Sequence, residues 1–374
     1  MTAERVRQRA GPYSVEEVPN VPPREWDAWV GGSPGGGHVL QSHAWGEFKR
    51  GHGWRPLRVV LEKGGEVIGA GQFLLYDTLP VPGRLMYCTK GPWLPWEDQR
   101  AVRAFFEGVE RIAARERAHT VKIEPEVLAE RRDVGEHLRA LGFRDARYDL
   151  NFSNTVVLDL SPTEEEILDR MSARSKKGKT TRYNINLARR KGVEVNERDD
   201  FEQPFDILFG WMEDLEEAKA GFTNRRPREY LREMMRSMRD AGLGHFFIAT
   251  HEGTPLSGAF VFTFGKKLWF MHGASGTEKR KLHGNYLLQW EIMRWAKRRG
   301  ITYCDFMGAP RSEDRNEENP YYGVYRFKLG FGGDVVEYQG CLDLPVRSRL
   351  AEAWYRLEPL YYRAYYKLKG DVFY

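Results

Sequence analysis

Cysteine is scarce in this 374-residue sequence: Cys88, Cys304 and Cys341 are scattered, odd in number, and without a CxxC or Cys/His pairing. That argues against a disulfide framework or a zinc site and fits a reducing compartment. No apolar run approaches the ~20 residues a bilayer-spanning helix needs. The first residues are charged and hold no signal-peptide core, so the expected location is the cytoplasm. A Walker-type phosphate loop is missing, which excludes ATP hydrolysis or activation within the chain. There is no Gly-x-Ser-x-Gly elbow and no cysteine in a nucleophile motif. No His/carboxylate cluster has metal-ligand spacing. Large charge imbalance is absent as well: the formal net charge is +5, with 41% hydrophobic and 30% charged residues. This is an ordinary globular composition, and the length allows two domains, each with a core of its own.

What the sequence does contain is the same series of segments twice, about 190 residues apart. Val59–Ala70 holds two apolar runs around Gly64-Gly65, and Phe247–Ala259 repeats the pattern around Gly253. A further apolar strand follows each, at Arg84–Tyr87 and at Lys267–Phe270. An amphipathic helix comes next, then a short strand ending in an acid, Val121–Glu124 or Thr302–Asp305. Each series closes with a helical turn into Leu-Gly-Phe, at Leu141–Phe143 and Leu329–Phe331. Recurrence in one order favours duplication over chance. Ser161-Pro162-Thr163-Glu164 opens a helix with capping-box spacing, which supports a boundary near residue 155. The expected domains are 1–155, with 335–374 packing back on it, and 156–334.

Between Arg170 and Lys191 there are nine cations, among them Lys176, Lys177, Lys179 and Arg182, and no acid. This reads as a surface helix or helix pair that is either simply solvated or a site for a polyanion. Groove-reading motifs are absent, so any nucleic-acid contact would be to the backbone. Trp354–Tyr374 interleaves Trp354, Tyr355, Tyr361, Tyr362, Tyr365 and Tyr366 with Arg356, Arg363, Lys367 and Lys369. Such a helix suits a membrane headgroup interface, or it packs on its own domain.

The order hairpin, strand, helix, strand, helix resembles the fold of acetyl-CoA-dependent N-acetyltransferases: α/β (α+β), with mixed sheets flanked by helices. Those enzymes hold the cofactor pyrophosphate in a Gly-rich turn at a helix N-terminus. The nearest equivalent is Lys281-Leu282-His283-Gly284-Asn285-Tyr286, where the tyrosine crowds a backbone approach that calls for a small residue. The first series has no such turn.

Five further segments carry a more specific resemblance: Leu40–Lys49, Gly273–Ser275, Asn285–Glu291, Asp305–Gly308 and Tyr325–Gly333. In this order, from about residue 40 to residue 345, they resemble the FemABX family of non-ribosomal peptidyltransferases. The resemblance implies two tandem acetyltransferase-type (GNAT-type) domains, here without a coiled-coil arm. It implies transfer of an amino acid from aminoacyl-tRNA to an amine of the peptidoglycan precursor's stem peptide, carried on UDP or on a lipid. Aminoacyl-tRNA is then a co-substrate, and no cofactor or metal is expected. By the same resemblance Lys328 is the cation that stabilises the oxyanion, with Phe327 beside it shaping the channel. Glu124, in Glu124-Pro125 where the family has aspartate before proline, is either the base or a structural residue capping its strand end. Lys49 and Arg226 are the diphosphate ligands, with Tyr230 one helical turn beyond Arg226. Tyr325 either lines the peptide channel or fills core. The basic segment, with Lys176, Lys177, Lys179 and Arg182, becomes the candidate tRNA contact, a role that the family motif does not supply. Three other expectations stay open: an acyl-CoA N-acyltransferase, a tRNA-dependent enzyme acting on a natural product, and a non-catalytic nucleic-acid or membrane-binding module.

Overall fold

The computed structural model describes residues 7–173, 180–218 and 226–374. It divides into two compact units, Met1–Ser153 with Glu337–Tyr374, and Asn154–Val336.

In the first unit, strands Arg55–Lys63 and Glu66–Asp77 form a hairpin that turns at Gly64 and Gly65, with φ 63° and 90°. A two-residue turn with both φ positive matches the twist of its strands, and glycine adopts it without strain. Tyr13–Glu17 and Arg84–Cys88 extend the sheet antiparallel on either side. Helix Gln99–Arg115 begins at Asp98, whose carboxylate accepts from the N–H groups of Arg100 and Ala101. Its buried stripe, Val102, Phe105, Phe106 and Val109, recurs at helical spacing and faces the core. Gly108 permits the close approach, since a Cβ there would lie 2.5 Å from Val15. The helix carries the chain over to Ala118–Ile123, which is parallel to Arg84–Cys88. Leu342–Pro345 then inserts between Ala118–Ile123 and Arg144–Asp145.

Helix Ser348–Lys369 packs back on this unit through buried charge. Lys122 Nζ lies 2.8 Å from Asp343 and 3.2 Å from Glu358, and all three side chains are at most 1% exposed. Burial pushes the Glu358 carboxyl up. Burial acts to lower the Lys122 ammonium, but the two carboxylates outweigh it and hold it above its ordinary value. The helix turns Trp354 and Tyr362 inward around Phe373, whereas Leu357, Leu360 and Leu368 face outward. Trp354 and Tyr362 are therefore core, Tyr355, Tyr361 and Tyr365 are half-buried, and Tyr366 is exposed with the leucines. Among the described residues no helix is long and apolar enough to cross a membrane.

The second unit has the sheet order Asp334–Glu337, Asn154–Asp159, Tyr303–Asp305, Lys267–Ser275, Thr254–Phe264, Gly244–His251, Glu194–Arg198. Its central hairpin turns at Glu252 and Gly253, φ 50° and 77°, the same backbone turn with a non-glycine residue in its first position. Helix Gly284–Arg298 leads to Tyr303–Asp305, parallel to Lys267–Ser275. Both sheets are mixed and flanked by helices. Phe201, Phe205 and Phe209 meet Arg236, Arg232 and Arg228, with each guanidinium 4.6–4.7 Å from a ring. Glu202 and Asp206 pair with the same arginines. This zipper joins helices Glu202–Ala218 and Arg228–Asp240.

Removing one member of a buried ion cluster leaves the others uncompensated. Lys122→Met is expected to lower unfolding stability by about 3–5 kcal/mol, with Glu358→Gln restoring part of the loss in the double variant. Urea denaturation checks this, and a single variant within error of the parent would refute it.

Candidate active site

The two sheets differ where the parallel strands end. In the first unit, Arg84–Cys88 and Ala118–Ile123 stay paired to Cys88 and Ile123. Glu124 N–H then donates to the carbonyls of Cys88 and Gly91, closing the strand ends. In the second unit, Lys267–Ser275 and Tyr303–Asp305 pair only at Lys267–Trp269. Beyond Trp269 and Asp305 they part, because Phe306 N–H turns to the Val156 carbonyl and Ala309 N–H to that of Asn154. The backbone of Phe270–Ser275 is thereby released from its parallel neighbour.

Lys328 lies by this opening. Half-buried on helix Tyr322–Leu329, it donates through Nζ to the carbonyl oxygens of Met307 and Gly308, the second at 2.8 Å. Both carbonyls come from a left-handed turn, φ 53° at Met307 and 66° at Gly308. Burial lowers the ammonium pKa to about 8, against the opposing charge of Asp305. A lysine so placed is a fixed cation that titrates near neutrality, the property a group needs to stabilise charge appearing during a reaction. Phe327 packs edge-on to Tyr286 and to Phe331, each with centroids 5.1 Å apart. Asn184 hydrogen-bonds the Tyr286 hydroxyl, and burial raises that hydroxyl's pKa. The glycines after Lys328 have steric reasons. A Cβ would lie 2.8 Å from Thr181 Oγ1 at Gly330 and 2.7 Å from the Val157 carbonyl at Gly333. Tyr325, on the same helix, is buried in the core, with Arg315 5.9 Å from its ring.

A second cluster in this unit joins Arg226, Tyr230 and His272. The Arg226 guanidinium lies 4.4 Å from the Tyr230 ring, although Arg226 itself precedes helix Arg228–Asp240. His272 Nε2 is buried without a hydrogen-bond partner. Burial, reinforced by the Arg226 charge, pushes the imidazole down to about 4, so it is neutral at pH 7.

The remaining candidates are dispersed. Glu124, in the first unit, is 2% exposed and accepts from Tyr87 Oη at 2.6 Å, Asn151 Nδ2 at 2.8 Å and Lys90 Nζ at 2.8 Å. Lys49, also in the first unit, is 1% exposed. Its Nζ lies 4.2 Å from the Tyr374 ring and 5.4 Å from that of Trp54, and Trp45 Nε1 donates to Tyr374 Oη at 2.8 Å. Gly370, φ 63°, ends the long helix ahead of this segment. Lys49 is thus enclosed by aromatic rings and is not open to an external anion in this arrangement. Arg182 pairs with Glu165 and Asp169, and Arg189 with Glu291. These described cations are thus neutralised by acids from neighbouring helices, which the local sequence does not reveal. Lys176, Lys177 and Lys179 lie outside the described residues.

Several contributors carry no assignment from the sequence: Asn184, His272 and the Met307 and Gly308 carbonyls. A strand-ending acid followed by a glycine three residues on was the legible sign of the turn. At the N-terminus of helix Gly284–Arg298, a Cβ at Gly284 would lie 3.0 Å from Leu256 Cβ. Tyr286 fills the first turn against Phe327 and Phe331. This is not the open glycine cradle that a pyrophosphate requires.

Mixed sheets flanked by helices, with parallel strands parting in one of them, are accompanied by similarity to acyltransferase-type enzymes. The "Acetyltransferase (GNAT) domain" family matches residues 175–328, and the "FemAB family" matches residues 21–250. The chain belongs to the FemAB family. The Lipid II:glycine glycyltransferase of Staphylococcus haemolyticus (strain JCSC1435) is 24% identical over 424 residues, covering 95% of this chain and 99% of that protein. The protein of the same name from Staphylococcus aureus (strain USA300) is 24% identical over 419 residues, covering 93% and 97%. The crystal structure of FemX shares the fold, with TM-score 0.81 and 22% identity over 91% of this chain and all of that one.

Tyr374→Ala is expected to speed modification of Lys49 by an amine-directed reagent severalfold, scored by peptide mass spectrometry against exposed Lys369. An unchanged rate would mean that helix His43–Gly51 and its other neighbours, not Tyr374, cover the ammonium.

Proposed function

We propose that this enzyme transfers an amino acid from aminoacyl-tRNA to an amine on the stem peptide of a lipid-linked peptidoglycan precursor, building an interpeptide bridge. The observation that carries this reading is the Lys328 ammonium clamped by two carbonyls at the parting of the strands. An aminoacyl ester is already activated, so the chemistry needs a fixed cation and oriented substrates, and no nucleotide hydrolysis. The acceptor nitrogen attacks the ester carbonyl, forming the C–N bond. Charge collects on the carbonyl oxygen, where Lys328 opposes it. Collapse breaks the bond to the tRNA ribose oxygen, which leaves as a hydroxyl with the proton given up by the amine. Glu124 is the proposed base of the family pattern, and its carboxylate accepts hydrogen bonds from Tyr87, Asn151 and Lys90.

Arg226, oriented by stacking on Tyr230, is the forked donor suited to a diphosphate. Phe327, with Tyr286 and Phe331, forms the apolar wall beside the cation. Similarity to proteins named Lipid II:glycine glycyltransferase along nearly their whole length favours a lipid-linked acceptor over a UDP-linked one. Exposed Leu357, Leu360 and Leu368, with Arg356, Arg363 and Lys367 on the same helix, give a surface suited to peripheral contact with an anionic bilayer. Lys176, Lys177 and Lys179 remain the tRNA contact in this reading. Coenzyme A is not a cofactor here, since Tyr286 fills the first turn where its pyrophosphate would lie.

The test is mass spectrometry of lipid-linked and UDP-linked muramyl pentapeptides incubated with enzyme and a charged tRNA pool, with acetyl-CoA in a parallel tube. The expected result is one amino-acid increment on the lipid-linked peptide that requires charged tRNA. An acetyl increment, or none, would overturn the reading. Lys328→Met should cost roughly 10²–10³ in kcat while tRNA binding persists. Lys328 is protonated below its pKa of about 8, so kcat should fall as pH rises through that value. A profile flat across pH 7–9 would remove Lys328 from the transition state.

A further inference from the structure

We infer that Asp305 is a positioning residue for Lys328: its carboxylate builds the Met307–Gly308 turn whose two carbonyls aim the ammonium. The inference rests on the proposed role of Lys328. It assigns a task to Asp305 within the segment whose Met307 and Gly308 carbonyls hold that ammonium.

The geometry is specific. Asp305 ends its strand, is 3% exposed, and pairs in register with Trp269, the last residue before the strands part. Its Oδ1 accepts from Met307 N–H at 2.7 Å and from the Thr155 hydroxyl on the neighbouring strand. A carboxylate accepting from the N–H two residues on is the bond that stabilises a tight reversal. This reversal needs it, because Met307 has a left-handed φ of 53°, which side chains with a Cβ adopt only at an energetic cost. Without the bond, Met307 would relax toward negative φ and its carbonyl would swing away from Lys328 Nζ. Gly308, φ 66°, tolerates the second left-handed position.

The arrangement therefore does two things. It takes two of the three ammonium protons onto Met307 and Gly308, so the third has a defined direction. It also places one buried negative charge near the lysine, enough to oppose burial and keep the ammonium protonated near neutrality. Tyr286, on the helix packed against Phe327, adds no charge because burial raises its hydroxyl pKa. A partly desolvated lysine without that carboxylate would be neutral at pH 7 more often, and a neutral amine stabilises an oxyanion poorly.

Asp305→Asn keeps the shape and an acceptor for the Met307 N–H but removes the charge. Competitive amine labelling of Lys328 against pH, read by peptide mass spectrometry, measures the lysine's titration whether or not transfer is observed. The expected result is a midpoint about one unit lower than in the parent. In the transfer assay the alkaline loss of kcat should move the same way, giving roughly tenfold lower kcat above both midpoints, with KM unchanged. Thermal unfolding confirms the fold. Should Asp305→Asn not fold, Thr155→Val retains the charge and releases one of its holding bonds, and must lower kcat without raising KM. A Lys328 midpoint in Asp305→Asn equal to the parent's, or parental kcat in Thr155→Val, overturns the inference. Absence of transfer in the parent itself would sink the proposed reaction instead, while the labelling result would still decide the role of Asp305.

Discussion

The parting of two parallel strands is the constraint on which the candidate site depends. Backbone N–H and C=O groups in a sheet interior must be paired, so strands separate only where other partners are at hand. Here Asn154–Asp159 supplies them, drawing Phe306 and Ala309 toward itself and leaving the far half of Lys267–Ser275 without a parallel neighbour. The turn that results holds its strain at Met307, a left-handed residue with a Cβ, while Gly308 takes the next left-handed position freely. Strain of this kind persists when surrounding bonds over-determine it. Thr155, Asp305 and the Met307 N–H form such a set. Lys328 then enters a position already shaped for an ammonium.

The first unit has a related order of strands and the opposite outcome. Its parallel pair stays closed, and the acid at the strand end is held by a lysine, a tyrosine and an asparagine. Burial works to lower Lys90, but neighbouring groups, Glu124 first among them, outweigh it, so the lysine stays charged. A closed strand end with a satisfied ion pair suits structural support, whereas an open one beside a partly desolvated lysine suits chemistry. The Lys122–Asp343–Glu358 cluster anchors the long helix to the first sheet, where it turns Trp354 and Tyr362 inward and leucines outward.

The fold class was legible because its signals are local. Gly64-Gly65 and Glu252-Gly253 mark tight turns, and apolar residues at helical spacing mark Gln99–Arg115. The family resemblance was legible for a related reason: the glycines after Lys328 answer to close contacts that a Cβ would violate, so their spacing reads as a pattern. Tyr286 likewise announced its crowding of the helix N-terminus through its size. The Phe201, Phe205, Phe209 and Arg228, Arg232, Arg236 spacings were equally open to reading as matching helix faces, but their partnership depends on two helices meeting. Burial was not legible. Lys49 and Lys122 read as ordinary lysines in sequence, and only packing shows one beneath Tyr374 and the other between two carboxylates.

The sequence by itself determined the elements, the mixed α/β class and the family, since turn chemistry, periodicity and short motifs depend on neighbours along the chain. It also named Lys328 as the residue of interest. Tertiary structure alone decided what surrounds that lysine. The carbonyls that hold it come from Met307 and Gly308, about 20 residues earlier, and the hydroxyl that steadies their turn comes from Thr155, 150 residues before Asp305. An ammonium's charge state and direction follow from burial and from partners distant in sequence, which only the folded chain brings together.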